Sequence, residues 1–568
     1  MSAAEQKPLV NVVVDGKPTA VPAGTNLIEA AKTVGVHIPH YCYHPGLSIA
    51  ANCRMCLVEV STAPPGKLVP GCQIPVAEGQ KITTDSPRVK EQQRAVEEFL
   101  LLHHPVDCAI CDQAGECTLQ DYFQEYDYRP TRFDTKKWMK NKRKDLGPTI
   151  YLDQERCIMC TRCVRFMREV AEDPVLGVFG RGTTEVIDTF PGKVLDNNYS
   201  GNIVDLCPVG ALLNKDNRFR ARAYFLTATP SVCTGCSRGC NTFLDHFQGV
   251  PYRYRPRENM EVNEHWMCDH GRLSYHQLYD DRMLEAAMGG KPAKAGDALL
   301  AAAKALRDAS AKAVVVSPVL SLEDAMAVML LAKEGLGLDE VFVSGRGDGA
   351  ADFKLLREDR NPNRKGIELA AQGFGLKLRP FAELTKSKPT AVLLAGVDVP
   401  LDEDSFASWV ANVDTVVALA ANQTPVSASA KIVLPLATHA ESEGTFVNFD
   451  GRAQRFLRAF GANGAVKAGW QWATEILAEL GFSYRFGGAF EVFDELAKRL
   501  PAGALGDFDW VKAAPRAVVK GVTPLPGGTV DGRPPGFREL IPLRTPATPV
   551  VELGGGSFPR LPSGHPAT

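Results

Sequence analysis

Polar and apolar positions follow two different rhythms along this chain. Near the start, "VNVVVDGKPTAV" places two β-rich runs on either side of Asp15-Gly16, the signal of a tight hairpin. "TNLIEAAKTVGV" then has helical spacing, with Thr25 or Asn26 able to cap it and Glu29 in its first turn. "SPRVKEQQRAVEEFLLLHHP" predicts a second helix. Ser86 can cap it, Pro87 suits its first position, and Val89, Val96, Phe99 and Leu100 are assigned to one face. That helix would carry His104 to its C-terminal end, just before Pro105. Beyond residue 300 the pattern changes to short, wholly apolar runs: "AKAVVVSPV", "DEVFVSG", "PTAVLLAGVDVP" and "DTVVALAANQTPVSASAKIVLPLA". These read as buried strands, and "LSLEDAMAVMLLAKEGLG" as a helix ending in glycine. Strands alternating with helices predict a parallel sheet.

The bulk numbers set outer bounds. A chain of 568 residues is too long for one core and points to about four domains. At 45% hydrophobic and 23% charged residues, with net charge −2, nothing predicts nucleic-acid binding. "MSAAEQKPLV" has no basic, apolar or twin-arginine signal, so no export signal is expected. The best membrane candidate, residues 325–332, lies between Asp324 and Lys333 and falls well short of the roughly 18 apolar residues of a span. The expectation is a soluble, cytoplasmic chain that can dock on a membrane complex.

Candidate chemistry enters with the cysteines. All 15 fall between Cys42 and Cys268. In a reducing compartment such clustering points to metal or redox work rather than disulfides. They form four groups: Cys42, Cys53, Cys56 and Cys72; Cys108, Cys111 and Cys117; Cys157, Cys160, Cys163 and Cys207; Cys233, Cys236, Cys240 and Cys268. The second group is one short of the four ligands that an iron–sulfur cluster or a zinc ion usually takes. His104 completes it as H-x3-C-x2-C-x5-C. His103, one residue farther off, is the second choice and otherwise a surface or capping residue.

The third group favours iron over zinc. "CIMCTRC" with a remote Cys207-Pro208 is the C-x2-C-x2-C…C-P pattern of ferredoxin-type [4Fe–4S] sites. A single tetrahedral zinc rarely recruits three such closely spaced cysteines. The first group follows strand, strand and helix, the order of a [2Fe–2S] ferredoxin. Its C-x10-C-x2-C-x15-C spacing departs from the plant-type form, with a longer loop before Cys53. In the second group a neutral imidazole replaces a thiolate, which by itself should raise the potential.

Four groups in this order, with a His/Cys3 site second, resemble the large iron–sulfur subunits of bacterial NADH–quinone oxidoreductase, respiratory complex I. The likeness rests on "YCYHPGLSIAANCRMCLVEV", "HHPVDCAICDQAGECTLQD", "RCIMCTRCVRF" and "VDLCPVGAL". The resemblance implies one [2Fe–2S] and three [4Fe–4S] clusters held by the sixteen residues named. It also implies a place in the hydrophilic arm, on the cytoplasmic face and peripheral to the membrane. A partner subunit would oxidise NADH on FMN. The Cys42 site would receive electrons, the Cys157 site would follow, and the His104 site would pass them toward clusters in another subunit and then quinone. The whole complex would couple this to proton translocation. The Cys233 site is expected to be filled, off the main route in this family.

From Cys233 on, C-x2-C-x3-C-x27-C resembles the cluster domain of molybdopterin oxidoreductases, and "ESEGTFVNFDGRAQRF" a further stretch of that family. No cysteine follows Cys268 to bind molybdenum, so a degenerate, structural domain without pterin is expected. The competing readings are a molybdenum or tungsten formate dehydrogenase, an NAD-linked hydrogenase subunit and a zinc scaffold. Gly345, Gly347 and Gly349 in "SGRGDGA" suggest a loop rather than a phosphate cradle. The basic run 129–145 reads as a solvated connector, with docking of an acidic partner as the alternative.

The expected fold is multidomain α/β and α+β. Residues 1–86 form a β-grasp [2Fe–2S] domain, 87–127 a His/Cys3 domain and 128–225 a ferredoxin-like [4Fe–4S] domain. Residues 226–282 form a molybdopterin-oxidoreductase-type [4Fe–4S] domain and 283–514 an α/β domain of that family. Residues 515–568 are a Pro/Gly-rich tail, extended or disordered. No catalytic residue of its own is expected, since one-electron relay needs positioned clusters rather than acid–base groups.

Overall fold

The computed structural model describes residues 7–396, 398, 402–501, 504–505 and 517–518, in two units that part between Phe225 and Leu226. The tail assigned to 515–568 lies outside the described residues apart from 517–518.

In the first unit, β1 (Leu9–Val14) and β2 (Lys17–Pro22) pair antiparallel from Leu9↔Pro22 to Val14↔Lys17. Asp15 and Gly16 make the turn with φ of 45° and 80°, the doubly left-handed geometry of a two-residue hairpin. Helix α1 (Leu27–Lys32) is capped by Asn26, whose side chain accepts from the Glu29 N–H at 3.0 Å. Thr25 instead donates its hydroxyl to the Pro22 carbonyl at 2.7 Å. With β3 (Leu57–Val60), β4 (Leu68–Pro70) and β5 (Gln80–Thr83) the strands form one sheet, ordered β2-β1-β5-β3-β4, with β1 and β5 parallel. This is the β-grasp arrangement. Leu27, Ile28, Ala31, Val58 and Ile82 fill its core together with Cys56 and Cys72.

Helix α2 (Pro87–His103) starts as the sequence predicts: Ser86 Oγ accepts from the Val89 N–H at 3.3 Å. Its buried stripe is Val89, Gln93, Val96 and Glu97, and Phe99 is 71% exposed. The one-face assignment therefore fails at Phe99. At about 100° per residue the buried positions 89, 93, 96 and 97 centre roughly 25° from Val89, and Phe99, about 80° from Val89 on the other side, stands roughly 105° from that centre, even though two of the buried positions are polar. The basic run is not simply solvated. Lys137 Nζ donates to the carbonyls of Leu101 (2.9 Å) and Leu102 (3.3 Å), satisfying the open end of α2. Arg132 pairs with Glu98. Helix α3 (Thr118–Tyr122) follows Cys117 directly, and α4 (Arg162–Glu169) carries Cys163 of the third group in its first turn.

In the second unit Thr227–Val232, Asn241–Phe247 and Val250–Pro256 form an antiparallel sheet around the last cysteine group. The described residues after it build an eight-stranded sheet. Its parallel part runs Ile432–Pro435, Thr415–Ala420, Ala391–Ala395, Lys312–Val316, Glu340–Val343, Lys377–Pro380. Both faces are covered: Val314 and Val316 pack into one core, Ala313 and Val315 into the other, which is why these strands carry no polar alternation. The helix Leu322–Leu330 is buried on every side. The sheet is not wholly parallel. Ala286–Met288 and Lys291–Ala293 add an antiparallel hairpin at its edge, turned by Gly289 and Gly290 at φ of 57° and 75°.

Candidate metal centres

Local backbone turns aim each cysteine group. In the first, Cys42, Cys56 and Cys72 are buried and Cys53 is partly buried. Cys42 is hydrogen-bonded to the thiols of Cys53 and Cys72, and Cys56 to that of Cys72. Ala51 and Arg54 take φ of 51° and 61°, and this turn aims the amides of Asn52 and Cys53 at Cys42. These bonds lower Cys42 and Cys56 and raise Cys53 and Cys72. In this network Cys42 and Cys56 accept and Cys53 and Cys72 donate.

The second group shares a cavity of about 430 Å³ with His104, which lines it beside Cys108, Cys111 and Cys117. His104 is the C-cap of α2. Burial and then the Arg156 cation hold its imidazole down to about 4, so it is neutral at physiological pH and offers a lone pair. His103 turns away and stacks on Trp138, ring centroids 3.6 Å apart. Burial pushes Cys117 up to about 11. Cys108 is exposed.

Cys157, Cys160, Cys163 and Cys207 line one apolar cavity with Leu152, Ile187, Val209 and Leu212. Met159 and Thr161 adopt left-handed φ of 55° and 60°, the kinks that turn three nearby cysteines inward. Burial, then the neighbouring Cys160 sulfur, pushes Cys157 and Cys207 up to about 12. Four thiolates in such a cavity demand a cationic core. In the last group all four cysteines are buried. Cys233 N–H donates to the Cys240 carbonyl at 2.8 Å, and Cys268 caps the helix Asp269–Leu273 by accepting from Gly271 N–H. A Cβ on Gly271 would lie 2.7 Å from Cys233 Sγ, so only glycine fits there. Burial raises Cys233 to about 12 and Cys240 and Cys268 well up.

Members of each group lie near one another in the fold. Among the described residues no three of His, Cys, Asp and Glu converge as a single metal ion would require. What the members share is a cavity, a hydrogen bond between thiols or an electrostatic interaction. The donor set, fifteen thiols and one neutral imidazole, is soft and fits iron–sulfur clusters.

Sequence reading missed the residues that join the groups. Arg162 donates to the carbonyls of Tyr43 and Leu206, and Asn52 Nδ2 to that of Met159 at 3.2 Å. These tie the first group to the third. Thr118 N–H donates to the Pro208 carbonyl at 3.0 Å, Arg156 pairs with Asp107 at 3.0 Å, and a Cβ on Gly210 would overlap Cys111 Sγ. These tie the third to the second. The available signal was an arginine beside a cysteine motif in "RCIMCTRCVRF". In the second unit Arg346 donates to the Thr234 carbonyl at 2.7 Å. Gly345 and Gly349 on the same loop abut Asn361 and Arg360, so the loop is packed by the chain's own side chains where a phosphate cradle would be open.

Residues 7–87 match the family model described as 2Fe-2S iron-sulfur cluster binding domain. Residues 93–132 match the NADH-ubiquinone oxidoreductase-G iron-sulfur binding region. Residues 147–213 match the ferredoxin-like domain of NADH-quinone oxidoreductase subunit 3. The first half is similar in sequence to subunits of NADH-ubiquinone and NADH-quinone oxidoreductases. The NADH-ubiquinone oxidoreductase 75 kDa subunit of Reclinomonas americana is 45% identical over 276 residues, 48% of this chain and 39% of that protein. An NADH-quinone oxidoreductase subunit of Rickettsia bellii is 41% identical over 275 residues, 48% of this chain and 40% of that protein. The match takes in about two fifths of the length of these relatives. Residues 297–479 match the molybdopterin oxidoreductase model, so the parallel sheet is of that domain type. Among the described residues no helix is long and apolar enough to cross a membrane.

Proposed function

We propose that this chain is the electron-relay subunit of an NADH–quinone oxidoreductase of the complex I type. Its receiving site is Cys42, Cys53, Cys56 and Cys72, its middle site Cys157, Cys160, Cys163 and Cys207, and its delivering site His104, Cys108, Cys111 and Cys117. The observation that carries this order is the contact of the middle site with both others, through Arg162 on one side and Pro208 with Gly210 on the other. When bound, one [2Fe–2S] and three [4Fe–4S] clusters supply one-electron storage at these positions. The chain's residues supply sulfur and imidazole donors, hold them inside low-dielectric cavities and keep the sites adjacent. Partners on this reading are an NADH/FMN-binding subunit and the next iron–sulfur subunit, with the chain peripheral to the membrane on its cytoplasmic side. Cys233, Cys236, Cys240 and Cys268 hold a fourth cluster. Residues 283–514 act structurally without pterin. The domains on this reading are 1–86, 87–127, 128–225, 226–282, 283–514 and 515–568.

The test is iron and acid-labile sulfide analysis with EPR of the reduced, anaerobically purified chain. One [2Fe–2S] and several [4Fe–4S] signals are expected. His104→Cys should alter only one of the cubes, and molybdenum should be absent. A colourless, iron-free protein would end the proposal.

A further inference from the structure

We propose that Arg165, with Arg162 one turn before it on α4, is a shared positioning cation that sets the electron affinities of the first and third sites together. This rests on the relay reading above and goes beyond it. Arg165 is 5% exposed. Its Nη2 donates to the carbonyl of Cys42 at 2.5 Å and to that of Cys160 at 3.4 Å, and its Nη1 to the carbonyl of Ser48. One guanidinium therefore touches a proposed ligand residue of each quartet. Arg162 repeats the pattern, reaching Tyr43, which follows Cys42, and Leu206, which precedes Cys207.

The hydrogen-bond partners of both are neutral: backbone carbonyls and, for Arg165 Nε, the Thr161 hydroxyl at 3.4 Å. A buried guanidinium is costly unless its charge is compensated. The same Nη2 touches the backbone of Cys42 and of Cys160, so the compensating charge would come from both sulfur sites at once. Adding an electron to either site makes it more negative and strengthens its attraction to this cation. Lysine could not reproduce the arrangement, because a single ammonium lacks the planar fork that spans carbonyls from two loops.

The test uses the full chain carrying its clusters, titrated potentiometrically with EPR detection of both sites. Arg165→Gln should lower the reduction equilibrium constant about tenfold at both sites, about 59 mV for one electron. Arg168→Gln serves as the control on the same helix, since Arg168 is largely exposed and pairs with Glu169, and should move neither. If Arg165→Gln does not fold, Arg162→Gln carries the same joint expectation. A purely structural role would lower the melting temperature and leave both potentials in place. A shift at one site only, or at neither, in a folded variant with both signals present overturns the proposal. Missing signals in the wild-type chain would instead reject the relay reading itself.

Discussion

The two units are held together by different materials. In the second, a helix buried on every side and strands apolar on both faces make a continuous hydrocarbon interior. In the first, cysteines are built into smaller apolar cores. Cys56 and Cys72 belong to the β-grasp core itself, and Cys157, Cys160, Cys163 and Cys207 line a cavity with Leu152, Ile187, Val209 and Leu212. Hydrocarbon packs without help. Buried sulfur donors are cohesive only with a metal to hold, because metal binding and folding share one free energy.

The largest expected effect tests that contrast directly. Anaerobic chelation should strip amide-exchange protection from residues 104–222 while the strands from Lys312 to Pro435 stay protected. Structural metal sites are worth on the order of 10 kcal/mol, enough to unfold a region whose apolar core, with Phe166, Met167 and Ile203 buried, is small. Equal loss of protection in both regions would break the comparison.

Trp472→Ala should do the reverse. Trp472 is fully buried in the core of the second unit and donates its Nε1–H to the Pro435 carbonyl at 2.8 Å. Truncation should cost roughly 3–5 kcal/mol, read as lost protection in the helix Gly469–Glu479, with iron content of the first unit unchanged. Loss of iron from that unit would show that the two interiors are not independent.

How much of this was legible in the sequence follows the same division. The hairpin at Asp15-Gly16, the Ser86 cap and the parallel strands were legible because they depend on neighbours in the chain. The cysteine groups were legible because most of their members stand close in the sequence, and His104, proposed for the one gap in the tally, lines the cavity of the second group. Phe99 was misassigned because a run of apolar residues hid the stripe through Gln93 and Glu97, two polar side chains that the fold buries. The task of Lys137, closing the end of α2, was invisible for another reason. It depends on where the chain returns 35 and 36 positions later, and so do Arg162 and Arg165, whose partners Tyr43 and Cys42 lie 119 and 123 positions away.

The smallest effect concerns those buried polar residues. Glu97 is fully buried and accepts from the Tyr41 hydroxyl at 2.5 Å, while its Oε2 has no partner. Burial raises its carboxyl to about 7, against the Tyr41 bond that lowers it. A carboxyl raised on folding favours the folded state fully below its unfolded pKa of roughly 4.5. That contribution is lost as pH climbs through the folded value, so local stability should fall between about pH 4.5 and 7, by roughly 2–3 kcal/mol in all. Glu97→Gln keeps an acceptor for Tyr41 and cannot ionise, so protection of α2, corrected for intrinsic exchange, should become flat with pH and exceed the wild type at pH 8. Glu323 offers the counterpart in the second unit: it is raised to about 7 by burial and accepts from Thr445 N–H at 2.8 Å. Glu323→Gln should flatten the helix Leu322–Leu330 and leave α2 sloping. If either substitution flattened both, the units would share one opening reaction, and the difference between sulfur-held and hydrocarbon-held interiors would not extend to how they come apart.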